Sequence, residues 1–237
     1  QGKAIYGVGG GITWDSTWES EYREVHQKAA VLYRKQARFK LITTGKISQK
    51  NLLFEEQHIE RLRKASRYFA FPFDSENLKQ KIEEECQACD ANQDYRLHIS
   101  LDKSGEIEVD RQVLTALSPS FCQAKLCLQE ANLQQAFIYF KTTHRPHLSI
   151  GEQEIIYHNK SGELLETSIG NLVLKISGKL YTPPIRLGIL PGIYRQLLLE
   201  TGQVEERVLT LKDLARAEAI YGCNAVRGLY ELSVREN

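Results

Sequence analysis

Lys141 has the setting in this 237-residue chain that most favours covalent chemistry. It follows five apolar or aromatic residues, 136–140, and precedes a polar Thr-Thr-His-Arg run. We expect the apolar run to be a strand. A lysine at the end of a buried strand is costly to keep charged, so its pKa falls and its amine becomes nucleophilic. The alternative is an ordinary strand-end lysine whose ammonium group reaches water.

Two further segments could serve the same chemistry. Residues 164–171 place Glu166 between an apolar pair and a small polar turn, where it could also be a loop acid beside an Asx-type turn. Residues 188–195 read Gly-Ile-Leu-Pro-Gly-Ile-Tyr-Arg, which predicts a loop that brings successive backbone N–H groups to a helix start. Such a helix start suits a phosphate, although many turn-to-helix junctions look alike.

The composition excludes several classes of partner. There are 31 Lys+Arg against 30 Asp+Glu, and this near balance argues against a nucleic-acid or membrane-surface binder. No apolar run approaches the roughly 20 residues that span a bilayer, and we expect no signal peptide. The five cysteines, an odd number, indicate a reducing compartment, so we expect a cytoplasmic protein. Cys86 and Cys89 have CxxC spacing without a second pair, so we expect no metal site.

The order of the expected elements favours an α+β (mixed α/β) fold. We predict strands at 4–8, 12–14, 39–44, 52–55, 95–101, 106–109 and 124–128, and a hairpin at 172–182. We predict helices from a Ser16–Glu19 capping box, at 59–69, at 74–89, at 192–200, and from Thr210 through Ile220. His98 and His158 lie in expected strands and are interpreted as ordinary polar residues. The polar run 130–135 is interpreted as a linker.

Taken together, these motifs resemble the fold-type IV, or class IV aminotransferase, family of pyridoxal-phosphate enzymes. The match runs in order through 54–62, 141–145, 166–171, 182–184, 188–195 and 224–228. The Lys-Thr-Thr-x-Arg form at 141–145 is most similar to the aminodeoxychorismate lyases within that family. The resemblance implies a small α/β domain at 36–131 and a larger domain at 132–237, with pyridoxal 5'-phosphate in the cleft between them.

The resemblance also implies roles for individual residues. Lys141 would form a Schiff base with the cofactor and later move protons. Glu166 would pair with the pyridine nitrogen and keep it protonated. Arg61 would hold the phosphate together with the backbone N–H groups of Ile193 and Tyr194. Asn224 and Ala225 would close the phosphate cup. Arg145 and Arg227 would bind a substrate carboxylate.

The activity implied is a lyase reaction that converts 4-amino-4-deoxychorismate to 4-aminobenzoate and pyruvate, in a homodimer. A D- or branched-chain amino-acid aminotransferase with the same cofactor and lysine is the enzymatic alternative. A non-catalytic remnant with the same fold is the second alternative. It depends on three departures from the family pattern: Tyr194 replaces a frequent threonine, Ala225 lacks a hydroxyl, and no tyrosine is present at 146–148.

Residues 1–35 resemble a different family. The glycine-rich run 6–16, with Glu21, Glu24 and Lys28, is similar to the C-terminal end of chorismate-utilising synthases. In that family the glycines approach a chorismate carboxylate and the helix carboxylates help to hold magnesium. Only that end of the pattern is present, so we expect a strand and a helix that merely pack. The two resemblances together imply a part of a bifunctional aminobenzoate synthase.

Overall fold

The computed structural model describes residues 5–33, 38–129 and 136–234. The chain divides into two compact units, Gln1–Arg38 and Phe39–Asn237. The linker expected at 130–135 lies outside the described residues. The domain boundaries expected at 35 and 131 stay predictions.

In the first unit, a loop leads into helix α1, Trp18–Tyr33. The strands expected at 4–8 and 12–14 are wrong: residues 5–14 form no strand, and Ala4 lies outside the described residues. Three successive glycines, 9–11, separate these two short segments. Glycine loses the most conformational entropy on ordering, and an isolated two-stranded pair is only marginally stable.

The start of α1 also differs from its prediction. Thr17, not Ser16, caps the helix: its Oγ1 accepts the backbone N–H of Ser20 at 3.2 Å, and the Ser20 hydroxyl accepts the N–H of Thr17 at 3.1 Å. Ser16 instead donates its hydroxyl to Glu21 at 2.6 Å. The cap therefore lies one residue later than the sequence motif indicated.

Four antiparallel strands form the first sheet of the second unit, in the order β2-β1-β3-β4. They are β1 (Leu41–Ser48), β2 (Asn51–Leu52), β3 (Tyr95–Leu101) and β4 (Ile107–Val113). Helices α2 (Glu55–Phe69) and α3 (Ser75–Gln87) cover one face, and their apolar residues share one core with the sheet. The strand expected at 52–55 ends at Leu52 because Phe54, at φ 60°, turns the chain into α2. Helix α3 lies within the predicted range 74–89, whereas α2, predicted at 59–69, begins four residues earlier, at Glu55.

Eight strands form the second sheet, and a pairing between β7 and β8 closes six of them into a ring. The order is β10-β9-β8-β11-β12-β5-β6-β7. The strands are β5 (Gln123–Leu128), β6 (Ile155–His158), β7 (Leu164–Thr167), β8 (Asn171–Ile176), β9 (Lys179–Thr182), β10 (Glu205–Glu206), β11 (Ala219–Asn224) and β12 (Gly228–Val234). The β8–β9 hairpin confirms the prediction at 172–182. With two sheets and flanking helices, the fold is mixed α/β, as expected.

Three short helices connect these strands: α4 (Ala136–Tyr139), α5 (Ile193–Glu200) and α6 (Leu211–Ala215). The expected strand at 136–140 is a helical turn, in which the N–H of Phe140 donates to the carbonyl of Ala136 at 3.0 Å. The rings of Phe137 and Phe140 both pack on Phe69 of α2. This apolar run therefore packs its aromatic rings together on one side and does not alternate between two faces.

Helix α6 begins with the expected capping box and ends early. The hydroxyl of Thr210 accepts the N–H of Asp213, whose carboxylate accepts the N–H of Thr210. The helix was expected to continue through Ile220, but Ala219–Asn224 instead pairs with β8 and β12. Sheet pairing overrides the local helical pattern there. No helix in the described ranges is long and apolar enough to cross a bilayer.

Candidate active site

A cavity of about 630 Å³ opens beside the uncovered face of the first sheet. Eight of the nine expected site residues line it: Arg61, Lys141, Arg145, Glu166, Ile193, Asn224, Ala225 and Arg227. The ninth, Tyr194, is not in the lining. Its hydroxyl faces Gly228, and its ring lies 6.2 Å from the ring of Phe54. The chain therefore brings the sequence motifs together, and the roles assigned to their residues stay predictions.

Lys141 is held at the edge of the first sheet. The N–H of Ile42 donates to the Lys141 carbonyl at 2.9 Å, and Thr142 forms an isolated bridge with Leu41. Burial is the main cause that lowers the pKa of Lys141 to about 7, and the charges of Arg61 and Arg145 add to it. A large fraction of this amine is therefore neutral, and nucleophilic, at neutral pH.

Glu166 lies on β7 with only 2% of its surface exposed. Its Oε2 accepts the N–H of Leu190 at 3.3 Å and lies 3.9 Å from Nη2 of Arg145. Burial raises the pKa of Glu166 to about 7, although Arg145 and the Leu190 N–H act in the opposite direction. Its Oε1 is buried and has no hydrogen-bond partner among the described residues. A buried acceptor that has no partner in the protein is suited to accept a hydrogen bond from an N–H group of a ligand.

A cationic side chain and a helix start come together where Arg61 meets α5. Nη2 of Arg61 donates to the carbonyl of Pro191 at 2.7 Å, which places its guanidinium beside the loop before the helix. The first N–H groups of α5, from Ile193 onward, have no carbonyl within the helix to bond. A Cβ on Gly192 would overlap Oδ1 of Asn171, so only glycine fits this close approach. A cation and free N–H groups together suit a phosphate.

Asn224 shapes the opposite wall of the cavity. Its Oδ1 accepts the N–H groups of Val226 and Arg227 at 3.0 and 2.9 Å, and its Nδ2 donates to the carbonyl of Ile169 at 3.3 Å. Nη1 of Arg227 donates to the carbonyl of Thr115 at 2.6 Å. Asn224 therefore fixes the turn that presents Arg227 to the cavity.

Three polar lining residues of the first sheet were missed: Thr44, Arg96 and His98. Thr44 and His98 are cross-strand partners, with Oγ1 and Nδ1 3.3 Å apart. Burial, followed by the charge of Arg96, lowers the pKa of His98. The signal was present in the alternation of β3, because apolar Leu97 and Ile99 face the core and leave the residues between them on the other face.

The lining is strongly cationic. One carboxylate, Glu166, faces five basic side chains: Arg61, Arg96, Lys141, Arg145 and Arg227. Nε and Nη2 of Arg145 are buried without a hydrogen-bond partner in the described part of the chain. The cavity therefore suits a ligand with several negative charges. Across residues 5–33, 38–129 and 136–234, no three His, Cys, Asp or Glu side chains gather as a metal site requires.

Comparison with known proteins agrees with this geometry. Residues 40–233 match the family described as amino-transferase class IV, and residues 1–34 match the family described as chorismate binding enzyme. An aminodeoxychorismate lyase from Saccharomyces cerevisiae is 30% identical over 126 residues, which cover 42% of this chain and 34% of that protein. The chain spans about a third of the length of the first curated relatives that it matches.

Two solved structures share the fold. A candidate amino-acid aminotransferase from Mesorhizobium loti has a TM-score of 0.73 at 24% identity, over 83% of this chain and 100% of the other. A candidate 4-amino-4-deoxychorismate lyase from Legionella pneumophila has a TM-score of 0.67 at 21% identity, over 83% of each chain. At these identities, the two comparisons show that this chain shares the fold of both proteins.

Proposed function

The chain belongs to the class IV aminotransferase family of pyridoxal-phosphate-dependent enzymes, and we propose that it is a lyase that converts 4-amino-4-deoxychorismate to 4-aminobenzoate and pyruvate. The observation that carries this proposal is the excess of cations in the cavity. If Arg61 holds a cofactor phosphate, then Arg96, Arg145 and Arg227 remain for the substrate. Two carboxylates, as in aminodeoxychorismate, fit this set better than the single carboxylate of a branched-chain amino acid.

The residues of the cavity fit pyridoxal phosphate. The unpartnered Oε1 of Glu166 would accept the hydrogen bond of the pyridine N–H, and the neutral amine of Lys141 would attach the aldehyde. Arg61 and the first N–H groups of α5 would hold the phosphate. When bound, the cofactor supplies a protonated ring that accepts electrons from the substrate carbon that loses its proton.

The chain's own residues would then divide the remaining work. Nζ of Lys141 takes the proton from the amine-bearing carbon, because an amine with a pKa of about 7 is largely free to accept one at neutral pH. Arg145 lies 3.9 Å from Glu166 and opposes its protonation. The guanidiniums of Arg96 and Arg227 are available to hold the substrate carboxylates. In the lyase reaction no keto-acid acceptor is needed.

Two further proposals concern the context of the site. Residues 1–34 match chorismate binding enzymes, and the substrate proposed here is an amino derivative of chorismate, so one polypeptide could carry two successive steps. We also propose a homodimer, as the resemblance to the class IV aminotransferase family implies, with Ile150, a cavity-lining residue that is 77% exposed, as a place where the second copy would contact this one. Sedimentation equilibrium at micromolar concentration tests the dimer. The cytoplasmic location stays a prediction.

The test of the function begins with pyridoxal phosphate. We expect the loaded chain to absorb in the near-visible range, and borohydride to fix the cofactor on the peptide that contains Lys141, as mass spectrometry would show. With 4-amino-4-deoxychorismate and no keto acid, we expect equal amounts of 4-aminobenzoate and pyruvate. A product that appears only when a keto acid is added would identify a transaminase instead. No absorbance and no borohydride adduct would identify a non-catalytic remnant.

A further inference from the structure

Glu154 is a fully buried carboxylate outside the cavity, and it joins three segments of the ring. Its Oε1 accepts the backbone N–H of Ser168 at 2.9 Å, the Ser168 hydroxyl, and the N–H of Ile155 at 3.2 Å. Its Oε2 accepts the hydroxyl of Tyr230 at 2.9 Å. Ile155 belongs to β6, Ser168 to the turn between β7 and β8, and Tyr230 to β12.

Tyr230 is itself held tightly in place. A Cβ on Gly222 would overlap the Tyr230 ring, and a Cβ on Gly170 would lie 3.0 Å from its hydroxyl. The same hydroxyl bonds the side chain of Thr167. Tyr230 therefore reaches Glu154 through a slot made by two glycines, one of which belongs to the turn after β7.

The turn anchored by Glu154 is a wall of the cavity. Four residues of this turn line the cavity: Ser168, Ile169, Gly170 and Asn171. Glu166 lies two residues before Ser168. The side-chain contacts of Glu166 are both long: a hydrogen bond of 3.3 Å from Leu190 and an ion contact of 3.9 Å with Arg145. Such contacts place a carboxylate only loosely. The backbone of the turn must therefore supply most of the positioning of Glu166.

We propose that Glu154 is a positioning residue, which fixes Glu166 and the adjoining cavity wall through Ser168 and Tyr230. Glu154 touches neither cofactor nor substrate, and its effect passes through the turn. A misplacement of about 1 Å at a reacting group can lower a rate by about a hundredfold. The proposal rests on the proposed function in that Glu166 is taken to face the pyridine nitrogen of the cofactor.

The chain offers a matched pair of buried carboxylates for the test. Asp213 is also buried, accepts the N–H and hydroxyl of Thr210, and pairs with Arg207 and Arg216, but it does not line the cavity. Glu154→Gln and Asp213→Asn therefore make the same chemical change at two places. Tyr230→Phe is the milder companion, because it keeps the ring in its slot and removes only the hydroxyl.

Hydrogen exchange of the cofactor-free chain is the first readout. We expect Glu154→Gln and Tyr230→Phe to speed amide exchange in residues 166–171, while Asp213→Asn leaves that turn unchanged. With pyridoxal phosphate bound, we expect the first two variants to shift the near-visible absorbance and lower kcat about tenfold or more, with KM less affected. The melting temperature of each variant is measured in parallel.

Two outcomes would overturn the proposal. One is a Glu154→Gln or Tyr230→Phe protein with wild-type exchange at 166–171 and a wild-type cofactor spectrum. The other is the same loss of kcat in Asp213→Asn for an equal loss of melting temperature. If Glu154→Gln does not fold, Tyr230→Phe decides alone. Because the exchange readout needs neither cofactor nor substrate, a failed lyase assay of the wild-type chain would leave the test of Glu154 intact.

Discussion

At Lys141 and Glu166, burial acts on two groups of opposite charge and favours the neutral form of both. It lowers the pKa of the lysine and raises that of the carboxyl, and each reaches about 7. The cations around them then act unequally, because Arg145 favours the charged form of Glu166 and the neutral form of Lys141. Both pKa values already include the effect of Arg145, so near pH 7 a large fraction of Lys141 is a neutral amine and a large fraction of Glu166 is a carboxylate, the two forms that the proposed chemistry needs.

Substitutions at Lys141 and at Glu166 should separate the roles proposed for these two residues. Lys141→Ala should abolish the borohydride adduct and all turnover, because in the proposed mechanism the amine both attaches the cofactor and carries the proton. Glu166→Gln should keep the adduct and the colour but lose turnover by on the order of 3 kcal/mol, about two orders of magnitude, since electron withdrawal by the ring weakens. Mass spectrometry of the reduced protein and single-turnover kinetics measure the two effects. Normal turnover in Glu166→Gln would contradict the role assigned to it.

The low pKa of Lys141 predicts how the apoprotein reacts with an aldehyde as pH changes. Only the neutral amine reacts, so the initial rate with pyridoxal should reach half its maximum near pH 7, far below the range of an exposed lysine. Arg61 is the charge that lowers this pKa most, so Arg61→Gln should move the midpoint upward. Pyridoxal lacks the phosphate, which keeps the phosphate-binding role proposed for Arg61 out of the measurement. Arg63→Gln, on the same helix and paired with Glu60, is the control and should leave the midpoint unchanged.

Helix α5 depends on one glycine for its approach to the cavity. Gly192→Ala would drive a methyl group into Oδ1 of Asn171, so either that side chain or the start of the helix must shift. We expect weaker cofactor retention, measured by dialysis and absorbance, and a loss of stability of about 1 to 3 kcal/mol. Gly151→Ala is the matched control, because a Cβ there meets nothing within 4 Å. Equal retention in both variants would show that the approach of α5 is not needed.

Elements formed by local patterns were predictable, whereas those decided by distant partners were not. Helix α3 follows from its Asp74 cap, which accepts two N–H groups of its own first turn. The helix predicted from Thr210 through Ile220 was wrong at its end, because Ala219 and Ile220 instead begin the strand Ala219–Asn224, which pairs with β8 and β12. The residues of the candidate site also divide into those that the sequence predicted and those that it did not. Motif residues such as Lys141 were recognised, but Arg96 was not, because strand alternation separates two faces without saying which one the helices cover and which one lines a cavity.

For the molecule as a whole, the candidate active site lowers the free energy of unfolding as long as no cofactor is bound. Lys141 has a lower pKa folded than unfolded, so its charge destabilises the folded chain fully below pH 7, and the effect disappears as the pH rises toward 10.5. Lys141→Met should therefore stabilise the apoprotein at pH 6.5 by about 2 to 4 kcal/mol in urea unfolding. The gain should shrink at pH 10. Lys64→Met, at an exposed position, should change little. A destabilised Lys141→Met apoprotein would contradict this account.

The order of strands in the ring has a consequence for synthesis on the ribosome. Within this sheet, strands β11 and β12 are made after all the others, yet they lie between β8 and β5, and the turn that joins them carries Asn224 and Arg227. A nascent chain that has emerged as far as residue 215 already contains Lys141 and Glu166, but its ring has a gap two strands wide. Since chains fold as they emerge from the N-terminus, the pocket must be the last part of this unit to mature, and capture of a cofactor must follow translation of residues 219–234.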